Sequence, residues 1–112
     1  MISMTTHDIK NFAVKTIREE LTAKHVNIKQ VVLFGSNARQ NASPDSDWDF
    51  LVCIEEEMPF LEKAKVINVI QRRLAEKRIS ADIIVKSEKK MNEERKNVGV
   101  ITYYALKDGV LV

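Results

Sequence analysis

Cysteine occurs once in this chain, at Cys53, so no intrachain disulfide can form. Its place late in an apolar run makes it a core residue rather than a nucleophile, and a reducing compartment fits. No apolar run approaches the ~18 residues that a membrane span needs. The opening stretch Met1-Ile2-Ser3-Met4-Thr5-Thr6-His7 lacks the hydrophobic core of a secretory signal, so a cytoplasmic location is expected. Charge of one sign is also missing: 18 basic and 16 acidic residues leave a net charge of +2. A field that small does not indicate nucleic acid as a partner. The two histidines, His7 and His25, have no metal-ligand spacing and read as surface or packing residues. No repeat, low-complexity tract or linker divides the 112 residues, of which 45% are hydrophobic. The expectation is one small domain over residues 1–112 with a modest core.

What is present is a regular alternation of helical and strand patterns. Ile9, Phe12, Ala13, Ile17 and Leu21 recur at helical spacing, which predicts a first helix over about 6–24, with Thr6 as its cap. The core of the domain then runs over about 25–112. Val31-Val32-Leu33-Phe34 reads as a buried strand, and Asp47 to Ile54 as a second whose side chains alternate between faces. A second helix is predicted from about Pro59 to Lys77, with Leu61, Ala64, Ile67, Ile70 and Leu74 as its buried stripe. The cations Arg72, Arg73, Lys77 and Arg78 near its end complement the helix dipole. Ile79 to Val85, rich in β-branched residues, reads as a further strand. A strand–helix–strand unit favours parallel pairing. Lys86 to Lys96 reads as a solvated loop and helix face. A last helix carries Val98, Ile101, Ala105 and Leu106 on its packed side and stops at Gly109.

The chemistry-bearing residues sit at the strand ends. Gly35 follows the first strand, where a backbone free of Cβ can turn sharply and approach a ligand, and Ser36 adds a hydroxyl. Asn37-Ala38-Arg39-Gln40 can open a short helix whose unpaired N–H groups favour an anion such as a triphosphate tail. After the turn cluster Asn41 to Ser46, Asp47 and Asp49 point the same way, roughly 7 Å apart at a rise of ~3.3 Å per residue, and two carboxylates that close call for a cation such as Mg²⁺. Trp48, Phe50 and Val52 fall on the opposite face. Asp82 is a lone acid inside its strand. Pairing beside the second strand would bring the three carboxylates together, with Asp82 either taking a proton from an attacking hydroxyl or helping to hold a metal. Arg39 either reaches a phosphate or pairs with an acid and fixes the loop.

Gly35-Ser36-x-Ala38-Arg39, Ser46-Asp47-x-Asp49 and the later Asp82 resemble the signature of the polymerase β-like nucleotidyltransferase superfamily. Within it the chain most resembles the minimal nucleotidyltransferases, short domains commonly encoded beside a HEPN-domain protein and often acting as its antitoxin. The similarity covers roughly residues 25–112, including the closing stretch Tyr104 to Val112. It implies a small α/β (α+β) domain, with a short mixed sheet and helices packed mainly on one face. It also implies that Gly35 and Ser36 contact the β- and γ-phosphates of a nucleoside triphosphate, that Asp47 and Asp49 ligate two Mg²⁺ ions, and that Asp82 is the third catalytic carboxylate. Gln40 stands where many relatives have glycine, and Trp48 is bulkier than the aliphatic residue usual there.

The resemblance further implies transfer of AMP from ATP to a hydroxyl, with a HEPN-domain toxin as acceptor and partner. Two other readings compete: an antitoxin that neutralises by binding alone, and a nucleotidyltransferase acting on a small molecule or an RNA end. Larger relatives carry extra domains that hold the acceptor. Here the acceptor is expected to be held largely from outside the chain or to lie shallowly on its surface.

Overall fold

The computed structural model describes residues 4–39 and 46–112. In chain order they form α1 (Thr6–Ala23), β1 (Ile28–Phe34), β2 (Trp48–Ile54), α2 (Phe60–Ala75), β3 (Ala81–Ser87), α3 (Glu88–Glu94), α4 (Ile101–Asp108) and β4 (Val110–Leu111). The four strands make one mixed sheet in the order β3-β2-β1-β4. β1 pairs antiparallel with both β2 and β4, and β2 pairs parallel with β3. The parallel pair is joined by α2, as a strand–helix–strand crossover requires.

The alternation of side chains along each strand sorts the core onto two faces. Val31, Leu33, Trp48, Phe50, Val52, Ile83 and Val85 meet the two long helices, which contribute Ala13, Ile17 and Leu21 from α1 and Val66, Ile70 and Leu74 from α2. On the other face Val32, Phe34, Leu51 and Cys53 meet Met91 of α3 and Ala105 of α4. Burial pushes the Cys53 thiol up from its ordinary range, with Glu88 adding to the shift, which suits a packing residue. α1 and α2 are tied by Arg73, whose guanidinium reaches Glu20 at 2.8 Å and Glu19 at 3.2 Å. At the free edge of β3, two side chains of α2 occupy outward-facing carbonyls. Gln71 donates to Ala81 O at 2.9 Å and Lys63 to Val85 O at 3.3 Å, which blunts the edge against pairing with another chain.

Several local expectations need correction. The cap of α1 is Thr5, not Thr6: the Thr5 hydroxyl accepts from Asp8 N at 3.1 Å while Thr5 N donates to the Asp8 carboxylate at 3.3 Å. Pro59 is the N-cap residue of α2 and so lies just outside the first turn. Leu61 and Ala64 are exposed, and the buried stripe of α2 is Val66, Ile70 and Leu74. A strict three-residue spacing drifts by about 60° per step at 3.6 residues per turn, so Leu61 ends half a turn away from Ile70. Val98 precedes α4, and it and Ile101 are exposed, because the buried side of this short helix is Thr102 and Ala105.

The charged run 86–96 is more structured than its composition suggests. Lys86 and Ser87 end β3, Ser87 caps α3 by accepting from Lys90 N at 3.2 Å, and Met91 is buried. Glu94 then joins three elements: its Oε1 accepts from Lys86 Nζ at 2.6 Å and from the buried Thr102 Oγ1 at 2.8 Å. The Lys86 hydrogen bond, with Thr102 assisting and burial opposing, holds the Glu94 carboxyl below its usual range. A depressed pKa means stability that is present above the unfolded value of 4.5 and lost as pH falls through the folded one. Glu94→Gln is therefore expected to cost about 1.5–3 kcal/mol at pH 7 in urea unfolding. The difference from the parent should shrink as the pH drops below 4.5.

Candidate active site

β1 delivers the chain to Gly35, whose φ of 76° lies in the left-handed region. Residues 36–39 then form a turn, closed by Ala38 N and Arg39 N, which donate to Gly35 O at 3.1 and 3.3 Å. The amides of Ser36 and Asn37 take no part in these closing bonds. Ala38 packs against the core under α1 and α2 and pins the turn from below. The short helix expected from Asn37 to Gln40 is a turn as far as Arg39. Gln40 and the cluster Asn41 to Asp45 lie outside the described residues.

The register of the sheet brings the acids together. Phe34 is opposite Asp49, and Asp49 is opposite Asp82, so the three form one row across β1, β2 and β3. Asp47 stands immediately ahead of β2, whose first amide, Trp48 N, donates to Ser80 O at 2.9 Å and so fixes the entry to β2 against the entry to β3. Asn37 Nδ2 donates to Asp47 O at 2.9 Å, tying the glycine turn to the first acid. This tie was not readable from the sequence, because it joins positions ten apart through a loop. Trp48 stacks on Phe50 with ring centroids 6.4 Å apart on the far side of the strand. Its bulk therefore fills the helical core and takes no room from the carboxylates.

Asp49 is the one residue of β2 that is not buried outright, while Asp47 and Asp82 are exposed. Burial pushes its carboxyl above the ordinary range, the charges of Asp82 and then Asp47 add to this, and Arg39 opposes them. Arg39 thus acts on Asp49 by its charge, without an ion pair among the described residues. Gly35 and Asp49 are packed against each other: a Cβ on Gly35 would run into Asp49 Oδ2 and stand 3.2 Å from its Cγ. The three carboxylates offer the hard oxygen donors that Mg²⁺ takes, and a cation would relieve their mutual repulsion. As the side chains stand, no three acids or other ligating groups among the described residues are gathered closely enough to hold an ion.

A cleft of about 510 Å³ borders Asp82 and extends toward α2. Another of about 490 Å³ lies between α4 and β4 and includes none of the acids among its lining residues.

The raised Asp49 pKa has a definite sign. Between the ordinary value of 3.8 and the folded one, the folded chain holds a proton that the unfolded chain releases, so stability falls as pH rises through that window. Asp49→Asn is accordingly expected to raise the thermal midpoint at pH 7 and to lose that advantage below pH 3.8. Gly35→Ala should lower stability by roughly 1–3 kcal/mol in the same assay, from the left-handed backbone and the crowded carboxylate.

Comparison with known proteins bears on the fold and the family. No curated protein shows a significant sequence match. A solved structure assigned as a minimal nucleotidyltransferase is 25% identical, with a TM-score of 0.62, and each chain covers 97% of the other. Two more distant structures share the fold. One is a toxin–antitoxin structure with AMP-PNP, at 15% identity and a TM-score of 0.60, with 87% of this chain and 69% of that one covered. The other is a protein from Sulfolobus solfataricus assigned as a nucleotidyltransferase, at 24% identity and a TM-score of 0.57, with 98% and 87% covered. Residues 15–112 match the polymerase beta nucleotidyltransferase family (Polbeta), and the chain belongs to that family.

Proposed function

We propose that this chain is a single minimal nucleotidyltransferase domain that moves AMP from ATP to a hydroxyl on a partner protein, with Mg²⁺ bound at its acids. The observation that carries this reading is the row Phe34–Asp49–Asp82 with Gly35 closed against Asp49, which puts the glycine turn and the carboxylates at one sheet end. Membership of the family supports nucleotidyl transfer. The likeness to a toxin–antitoxin structure with AMP-PNP supports a toxin as partner, and we take a HEPN-domain toxin as the candidate. A buried, unpaired cysteine fits a reducing cytoplasm.

In this reading Gly35 lets the backbone approach the triphosphate, and Ser36 with the amides of the turn binds the β- and γ-phosphates. Arg39, already close enough for its charge to act on Asp49, adds positive charge on the phosphate side. Asp47, Asp49 and Asp82 would hold Mg²⁺. That ion supplies neutralisation of the charge that develops at phosphorus and at the departing pyrophosphate. Asn37 keeps the phosphate turn and Asp47 in fixed relation through its bond to the Asp47 carbonyl. The acceptor hydroxyl approaches on the Asp82 side. Its proton passes to the exposed Asp82 carboxylate, its oxygen bonds to the α-phosphorus, and the bond to pyrophosphate breaks.

Intact mass spectrometry of the protein encoded beside this one, after incubation with the chain, ATP and Mg²⁺, tests the proposal. The expected result is a mass increase of one or more AMP groups. Asp47→Asn, Asp49→Asn and Asp82→Asn should each slow the transfer by at least about 10²-fold while leaving the chain folded. A stable complex with no mass increase would instead support neutralisation by binding alone.

A further inference from the structure

The cleft beside Asp82 runs around the free edge of β3. Ala81 and Asp82 point to opposite faces of the sheet, yet both line it, together with Gln71 and Ala75 of α2 and the connecting residues Arg78 and Ser80. Asp82 marks one part of this cleft and Arg78 another.

Arg78 is placed there at a cost. Its φ of 60° lies in the left-handed region, at the turn that closes α2, where Arg78 N donates to Ala75 O at 2.9 Å and Ile79 N to Leu74 O at 3.0 Å. Glycine is the usual occupant of that position, because a side chain there is strained. A cation for the helix dipole does not explain the choice, since Arg72 and Arg73 already stand in the last turn of α2. Arg73 is engaged by Glu19 and Glu20, whereas the guanidinium of Arg78 pairs with no acid among the described residues. It is exposed within a cleft that the candidate catalytic carboxylate also lines.

We infer that Arg78 selects the acceptor: the hydroxyl that receives the nucleotide belongs to an acidic protein segment, with a carboxylate near the hydroxyl bound by the Arg78 guanidinium. This rests on the transfer reading above and specifies its substrate. The site is otherwise hostile to such a segment, because Asp47, Asp49 and Asp82 repel an approaching anion. A planar guanidinium can take a carboxylate through two parallel hydrogen bonds, holding its charge away from the acids while the neighbouring hydroxyl reaches Asp82. The hydroxyl proton then passes to Asp82, the oxygen bonds to the α-phosphorus of ATP, and pyrophosphate leaves with the bonding pair.

The test uses the whole chain and two synthetic peptides that differ only beside a central tyrosine, one flanked by glutamates and one by glutamines, with a third flanked by lysines for the charge-reversed variant. Amide shifts of the ¹⁵N-labelled protein should localise to residues 71–82, with the glutamate peptide binding roughly tenfold more tightly. Arg78→Gly should reduce that preference to none while keeping or raising the thermal midpoint, which a purely structural residue would not do. Arg78→Glu should reverse the preference toward a lysine-flanked peptide. Equal binding of the two peptides, or a preference untouched by Arg78→Gly, overturns the inference. Adding ATP and Mg²⁺ separates it from the reading beneath it. Selective binding without nucleotide transfer to the peptide or to the partner protein supports the acidic-segment site and counts against transfer. Transfer that ignores the flanking charge supports the enzyme and overturns the selection.

Discussion

An ionisable aspartate sits in a strand that is otherwise buried from end to end, and much of the structure around the site accommodates that one group. Asp49 lies between β1 and β3, with Phe34 on one side and Asp82 on the other. Burial and two like charges oppose its ionisation. Gly35 has no side chain because the Asp49 carboxylate occupies the space a Cβ would take. A chain selected for stability alone would place a hydrophobic residue at position 49. Its retention of a charge there is the kind of local conflict expected at a functional site.

The rest of the fold holds this end of the sheet still. Trp48 and Phe50 anchor alternate positions of β2 in the core under α1 and α2, so Asp49 is turned to the other face by the pleat. The Trp48 amide bonded to Ser80 sets the stagger of the parallel pair, and the Asn37 side-chain amide bonded to the Asp47 carbonyl ties the glycine turn to the first acid. On the far part of the sheet, Glu94 with Lys86 and Thr102 gathers β3, α3 and α4. The two faces therefore have different construction: one is a broad apolar contact with long helices, the other a smaller core closed by a charged hydrogen-bond junction.

The legible parts of this architecture are those governed by local geometry. The apolar run ending at Phe34, the alternation from Asp47 to Ile54 and the lone acid at Asp82 are patterns within a few residues, and each falls on its strand, with Asp47 one residue ahead of β2. The glycine turn and the acid spacing were also visible, as was the parallel crossover through α2. Apolar spacing alone does not fix which side of a helix faces the core. Leu61 fits a three-residue rhythm and yet faces solvent, because a helix accumulates a fixed angular error over three such steps. Val98 and Ile101 fit the helical pattern of the last helix and are exposed, and the short α4 turns Thr102 and Ala105 inward instead.

The sequence by itself determined which side of each strand carries acids and which carries apolar groups, because the two-residue period is a property of the extended backbone and needs no partner. Only the tertiary structure decided that Asp49 lies opposite Asp82, that Asn37 reaches Asp47, and that an arginine in a helix-ending turn shares a cleft with the third acid. Those relations depend on strand register and on the path of the connections. Both are set by the packing of side chains far apart in the chain, where no local rule reaches.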